Sequence, residues 1–418
     1  MADFRFTNKE LYCEGLKVST IASRVGTPFY LYSYHKLVTN FNEIKKAFSP
    51  INPLVCFAMK SNDNMAVIKA LAKEGAGFDI VSGGELQKAL LAQADPRKIV
   101  FASVGKTDEE IILAIKNGIL FFNVESEPEL VEINRLAKKL NKTVQAALRI
   151  NPDVSAATHD KITTGTLQKK FGIDLKTALR MIKSSSKYSS VKIKGLHIHI
   201  GSQITTVEPY VKALSKVSSF IEEVRAAGGK LEYLNLGGGI GISYTGEKVP
   251  QPKDYAQRLL PILKKVGLKI IIEPGRYISA TAGIFVTKVI FVKDNGVKKF
   301  VIVDAGMNDL VRPSLYDAYH EIIPLKSTRN KRIKVDVVGP ICESGDFFAH
   351  GRMLPELKRG DLIAIMDAGA YGYVMSSNYN VRGKVAEIMV KGNQMSIVKE
   401  RESFKQLIAG ENIPNFLK

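Results

Sequence analysis

From about residue 50 to residue 276 the chain repeats one pattern, a short apolar run of strand length followed by a longer helix-compatible stretch. The runs are Leu54–Lys60, Phe78–Val81, Ile99–Ala102, Ile119–Val124, Gln145–Ile150, Lys194–Ile200, Glu232–Leu236 and Lys269–Glu273. Strands that alternate with helices pair in parallel, because only a crossover of helical length returns the chain to the same edge. Eight such units in about 225 residues match a closed (β/α)₈ barrel of the TIM type, with an open doubly wound sheet as the alternative. Helix signals fall between the runs. Glu127–Leu140 opens with Pro128, and Val207–Ala227 ends at Gly228-Gly229.

Beyond Gly283 the long amphipathic stretches cease. Ile284–Lys293, Lys298–Asp304, Ile333–Val338, Asp361–Asp367, Lys384–Val390 and Met395–Lys399 all read as strands, which predicts a second, all-β domain of barrel or sandwich type. The expected class is therefore α/β plus all-β, with a barrel over 29–282 and a C-terminal β domain over 283–418. Residues 1–28 are too few to fold alone and are expected to add a strand to the β domain.

Lys and Arg number 60 against 41 Asp and Glu, a net charge of +19 that would attract polyanions. The basic residues are spread as singles and pairs, such as Lys45-Lys46 and Lys298-Lys299, and no dense basic run is interleaved with aromatics. A lysine-rich solvated surface is the simpler reading, and no nucleic-acid partner is expected. Cys13, Cys56 and Cys342 have neither metal-ligand nor disulfide-framework spacing, so a reducing cytoplasm is expected. The N-terminus lacks the apolar core of a signal peptide, and no run is long enough to cross a bilayer, so no membrane role is expected.

In a (β/α)₈ barrel the functional residues gather where strands end. Lys60 closes the first run, Asp79 lies in the second, His199 ends the sixth, Gly237-Gly238-Gly239 follow the seventh, and Glu273 ends the eighth. Lys60 follows six apolar residues, so desolvation would lower its pKa and prepare it for a Schiff base. In a chain this rich in lysine, a strand-end lysine is also an ordinary surface terminator. The period of two places His197 and His199 on one face of the sixth run. A metal pair is one reading of these histidines; the following Gly201 and Ser202 suit a phosphate instead. Gly237–Gly241 could wrap an anion in backbone N–H groups, and Glu273-Pro274-Gly275-Arg276 sets a carboxylate, a tight turn and a guanidinium together.

At these residues the chain resembles the fold-type III pyridoxal-phosphate decarboxylases with an alanine-racemase-like barrel, most closely the branch acting on diaminopimelate. The likeness runs through the Lys60 segment, His197–Gln203 (HIHIGSQ), Asn235–Gly241 (NLGGGIG), Glu273–Arg276 (EPGR), Asp304–His320, Cys342–Asp346 (CESGD) and Asp367–Asn380. It implies that Lys60 carries pyridoxal 5′-phosphate as a Schiff base, that His199 stacks on the ring, and that Glu273 keeps the ring nitrogen protonated. Asp79 would support that nitrogen or its histidine neighbour. Ser202, Gly238, Gly239, Pro274, Gly275 and Arg276 would bind the phosphate, with Tyr371 closing over it. Arg276, Arg312, Tyr316, Glu343 and Tyr371 would bind substrate, and Cys342 would be the catalytic acid. The resemblance further implies a homodimer with shared active sites, no metal, and conversion of meso-2,6-diaminopimelate to L-lysine.

Without the resemblance, Cys342 could be a small buried residue, Arg312 a surface charge and Tyr371 a packing group. Two departures from the family pattern, Ser61-Asn62-Asp63 after Lys60 and Arg382-Gly383-Lys384-Val385 after Asn380, remove no chemical group. Rival functions are a decarboxylase for arginine, ornithine or carboxynorspermidine, a racemase, a non-catalytic cofactor-binding homologue, and a regulatory pseudoenzyme, which would usually have lost the lysine or the acid that this chain keeps. A racemase would need a tyrosine base where this chain offers Cys342, and a barrel-only binding protein would lack the β domain.

Overall fold

The computed structural model describes residues 3–154 and 170–418. They form two compact units, Leu37–Ser279, and Met1–Lys36 together with Ala280–Lys418.

In the first unit eight parallel strands close on themselves: β1 (Leu54–Ala58), β2 (Gly77–Ile80), β3 (Ile99–Phe101), β4 (Phe121–Val124), β5 (Val144–Arg149), β6 (Val191–His197), β7 (Tyr233–Asn235) and β8 (Lys269–Ile272). Ile271 and Ile272 of β8 pair with Leu54 and Val55 of β1, which completes the ring and excludes the open sheet. Helices follow the strands because their starts are capped by side chains. Asn64, Ser82, Thr107, Ser126 and Asp174 each accept a first-turn backbone N–H, and Gly118 and Gly267 stop helices in the left-handed conformation. After β8 only a four-residue turn of helix, Arg276–Ser279, remains. The helix Tyr34–Ala47, ahead of β1, is tied there by Asn40, which donates to the Ile278 carbonyl at 3.0 Å.

Cys56, Val100, Phe121, Ala147 and Ile271 form one buried cluster although their strands are not all neighbours, so they meet inside the ring. Each fully buried apolar side chain of the larger kinds contributes about 1.5–3 kcal/mol, and this layer makes the barrel a solid floor rather than a pore. Burial, then nearby Glu273 and Asp79, push the Cys56 thiol well up.

The second unit is a nine-stranded sheet. Its central strand Gly283–Asp294 pairs with Phe29–Ser33, Leu362–Ile365 and Lys299–Val303 in turn along its length. Alternate residues face two cores: Tyr30, Tyr32 and Phe285 pack on one side, and Phe29, Leu31, Ile284 and Val286 on the other. Here the chain departs from expectation. Residues 4–17 form their own three-stranded antiparallel sheet and reach the large sheet through the bridge Glu10–Lys326. The strand that joins is Phe29–Ser33, which the expected boundary had placed with the barrel. Leu11, Cys13, Val18 and Ile21 cover the face that Phe29 and Leu31 present, so the N-terminal segment serves as a lid on the core. Among the described residues no helix is long and apolar enough to cross a membrane.

Candidate active site

Most barrel strands end one to three residues earlier than the apolar runs suggest, and Lys60, His199 and Glu273 stand just past those ends. Lys60 lies in the helical turn Met59–Ser61, His199 is two residues beyond β6, and Glu273 is one beyond β8.

Glu273 is buried and heavily bonded. Its Oε1 accepts from Nδ2 of Asn123 at 3.2 Å and from Nδ2 of Asn235, and its Oε2 meets Nε2 of His197 at 3.1 Å. Burial alone would raise this carboxyl, but His197, Lys60 and Asn235 outweigh it and hold the group below its ordinary 4.5, so it stays an anion. Asp79 on β2 is equally buried, yet moves the other way. Burial and the neighbouring Glu273 push it up against the pull of Lys60 and His197. Two buried carboxylates so close divide their roles, one charged and one avid for a proton. Asp79 Oδ2 accepts from Lys60 Nζ at 2.7 Å, so the lysine amine meets a carboxyl group rather than the apolar wall expected from its sequence neighbours. Oδ1 of Asp79 has no hydrogen-bond partner among the described residues.

His199 receives the Gly238 N–H at its Nδ1 (3.2 Å), which leaves the ring proton on Nε2. Burial, then Lys60, Arg149 and His197, push its pKa well down, so the imidazole is neutral. A Cβ on Gly238 would come within 2.1 Å of the Glu273 carbonyl oxygen. At Gly239, with φ +111°, a Cβ would lie 2.4 Å from the Gly201 carbonyl oxygen, so only glycine lets these loops close together. Tyr210 donates from below to the Gly238 carbonyl at 2.8 Å. Arg276 donates to Ser202 Oγ at 3.3 Å and to the Tyr244 hydroxyl at 2.9 Å. Pro274 accepts from the Ala58 N–H at 3.1 Å, and Gly275 accepts from Ser279, so the 273–276 turn is locked to the end of β1. Lys60, Asp79, His199, Ser202, Gly238, Gly239 and Glu273–Arg276 therefore share one rim. No three His, Cys, Asp or Glu side chains among the described residues gather as a metal-ligand set.

The remaining expected residues lie in the β unit. Arg312 and Tyr316 open and close a short helix; Arg312 is buried and contacts His320 Nε2 at 2.7 Å, while His320 Nδ1 meets the Met366 carbonyl at 2.7 Å. His320 is thus an acceptor toward the guanidinium and a donor toward the carbonyl. Cys342 and Glu343 are exposed, which removes the buried-cysteine reading. Their loop is folded by buried Asp346, which accepts from the Met307 and Ile341 N–H groups, both at 2.6 Å. Tyr371 is half-buried, with φ +56°, in the loop after strand Leu362–Ile365.

Several site residues escaped the sequence reading. Asn123 and Asn235 support Glu273, and Arg149 of β5 pairs with Glu125 while its guanidinium lies 4.7 Å from the Phe171 ring centroid. The available signal was an amide or a charge inside an otherwise apolar strand, as in Phe-Phe-Asn-Val and Tyr-Leu-Asn.

A family profile described as pyridoxal-dependent decarboxylase, pyridoxal binding domain, matches residues 34–280, the segment that carries this rim. The diaminopimelate decarboxylase of Aquifex aeolicus is 45% identical over 404 residues, 96% of each chain. The chain belongs to the diaminopimelate decarboxylase family. Among solved structures, diaminopimelate decarboxylase from M. jannaschii in co-complex with L-lysine is 38% identical with a TM-score of 0.95, covering 99% of each chain. The Helicobacter pylori enzyme complexed with L-lysine is 42% identical with a TM-score of 0.90, over 94% of this chain and 98% of that one. The family's cofactor is pyridoxal phosphate, and the rim fits it. The amine of Lys60, the glycine cradle that a Cβ would fill, the buried Glu273 anion and the unpartnered Asp79 Oδ1 are groups suited to an aldehyde, a phosphate and a protonated ring.

Proposed function

We infer that the chain is a carboxy-lyase that takes one carboxylate from meso-2,6-diaminopimelate as carbon dioxide and leaves L-lysine, the final step of lysine biosynthesis through diaminopimelate. The observation that carries this reading is the convergence of the Lys60–Asp79 pair and the Glu273 cluster on one rim of a chain whose solved relatives include two bound to L-lysine.

When bound, pyridoxal phosphate supplies an electron sink for the pair left behind as carbon dioxide departs. Lys60 Nζ would hold the cofactor at its aldehyde carbon. Asp79 Oδ2, 2.7 Å from Nζ, would orient that amine and share its proton. Glu273, held anionic, would keep a proton on the ring nitrogen. Neutral His199 offers a flat face without adding positive charge. Ser202, Gly238, Gly239, Pro274, Gly275, Arg276 and Tyr371 would hold the phosphate.

Arg276 and Arg312 bind carboxylate, Glu343 binds the distal ammonium, and Tyr316 and Tyr371 complete the substrate contacts. A substrate lacking the distal carboxylate would forgo these charge-assisted bonds and is disfavoured. Cys342 Sγ returns a proton to the carbon that lost its carboxylate. The exposure of Cys342 and Glu343 supports a homodimer in which this loop serves the barrel of a second copy. The two compact units are accordingly a cofactor domain and a domain contributing substrate and acid groups. Three free cysteines suit a reducing cytoplasm. Carbon dioxide release from meso-diaminopimelate, lysine, ornithine, arginine and carboxynorspermidine tests the reading. Strong preference for the first is expected, and equal turnover of ornithine sinks the specificity argument.

A further inference from the structure

Asn235 is fully buried at the end of β7 and is bonded at both ends of its amide. Its Nδ2 donates to Oε1 of Glu273, and its Oδ1 accepts the Gly237 N–H at 2.9 Å, the first donor of the glycine loop. Its backbone is held as firmly, because its carbonyl accepts from Ile198 at 2.9 Å and its strand pairs with His197 on one side and Ile271 on the other. A single side chain thus ties the Glu273 carboxylate to the Gly237–Gly239 loop. Asn123, the other amide on Oε1, has no hydrogen-bond partner for its own Oδ1 among the described residues.

We propose that Asn235 is a positioning residue that sets the distance and angle between the carboxylate serving the cofactor's ring nitrogen and the glycine loop serving its phosphate. The inference rests on the placement of Glu273 and the glycine loop given under the proposed function. A rigid cofactor with a charged ring nitrogen at one place and a phosphate at another is bound tightly only if both receiving groups are held in register before it arrives. Asn235 supplies that register from a single planar amide. An amide also donates to a carboxylate without being able to surrender a proton to it, so the contact favours the anion at every pH.

The chemistry distinguishes this role from mere turn formation. The bond from Oδ1 to the Gly237 N–H, two residues on, is one that aspartate makes as well as asparagine. The bond from Nδ2 to Glu273 is one that aspartate makes only while protonated. Glu273 is faced by His197, Asn123, Lys60 and Asp79. A carboxyl group in place of the Asn235 amide would therefore join two others already crowded there and would hold a proton at lower pH and lose it as pH rises.

The experiment compares wild type, Asn235→Asp and Asn235→Ala by titrating each apo-protein with pyridoxal phosphate, reading the dissociation constant and the cofactor absorbance from about pH 6 to about pH 9. Asn235→Asp should bind close to wild type at the acid end and lose about tenfold or more in affinity toward the alkaline end, while Asn235→Ala should be weakened at all pH. If Asn235→Asp follows wild type throughout, Asn235 only forms the turn and the proposal is overturned. If Asn235→Ala fails to fold, the aspartate variant still decides through its pH dependence relative to wild type. Failure of the wild-type protein to bind the cofactor would instead reject the proposed function.

Discussion

Glu273 accepts hydrogen bonds from side chains on three different barrel strands, β4, β6 and β7, whereas Cys342 and Glu343 stand exposed on a loop folded by one carboxylate, Asp346. The barrel group is held by partners distant in sequence and shielded from solvent, so its charge is set before any ligand arrives. The loop too is anchored by residues distant in sequence, Met307, Ser314 and Asn380, but Cys342 and Glu343 keep access to solvent. Binding of the cofactor should therefore respond to the rim, and turnover to the loop.

The largest test of that division is Lys60→Ala, which should abolish the cofactor's visible absorbance band and reduce turnover to background. Persistence of the band would remove Lys60 as the anchor. Next, Cys342→Ala should leave the band intact while slowing turnover by about 10²–10⁴-fold, the range for losing a general acid. Its thermal unfolding should shift little, because an exposed surface substitution typically changes stability by about 0.5 kcal/mol or less. Wild-type turnover would take Cys342 out of the acid role. Mixing the two inactive variants should recover about a quarter of wild-type activity if sites are shared in a two-fold dimer, since half the dimers are mixed and each has one intact site.

The smallest effect concerns pH. In the β unit, burial and nearby Glu321 push Asp367 up to about 6 from 3.8. Between those values the folded protein binds a proton that the unfolded chain has released, so stability falls as pH rises through the window and is level above it. Glu273 has the opposite sign: its contribution is complete above 4.5 and is lost as pH falls through its lower folded value. Asp367→Asn should therefore make the decline in melting temperature from pH 3.8 to about 6 shallower without altering the acid-side loss. An unchanged profile would mean that Asp367 is not proton-bound in the folded state. Asp309, also raised to about 6 chiefly by burial, should preserve part of the slope.

Much of the barrel was legible because its strands are apolar runs of even spacing, and Lys60, Glu273 and the glycine loop could be placed on one rim from strand order alone. Phe29–Ser33 was missed because it is buried on both faces and so lacks alternation, and because it belongs with strands more than 250 residues away. Phe347–Pro355 was missed because its pairing with Arg332–Val338 is irregular and His350-Gly351-Arg352 interrupts its apolar pattern.

The order of residues along the chain was thus enough to establish the eight-fold repeat, the change to β structure after Gly283 and the family resemblance, since each rests on local pattern. It could not tell which of two buried carboxylates is charged, nor that Asn123 and Asn235 support one of them. Those properties depend on the bond partners and burial that appear only when β4, β6, β7 and β8 close into a ring. Closure brings Asn123 and Glu273, 150 positions apart, within hydrogen-bond distance.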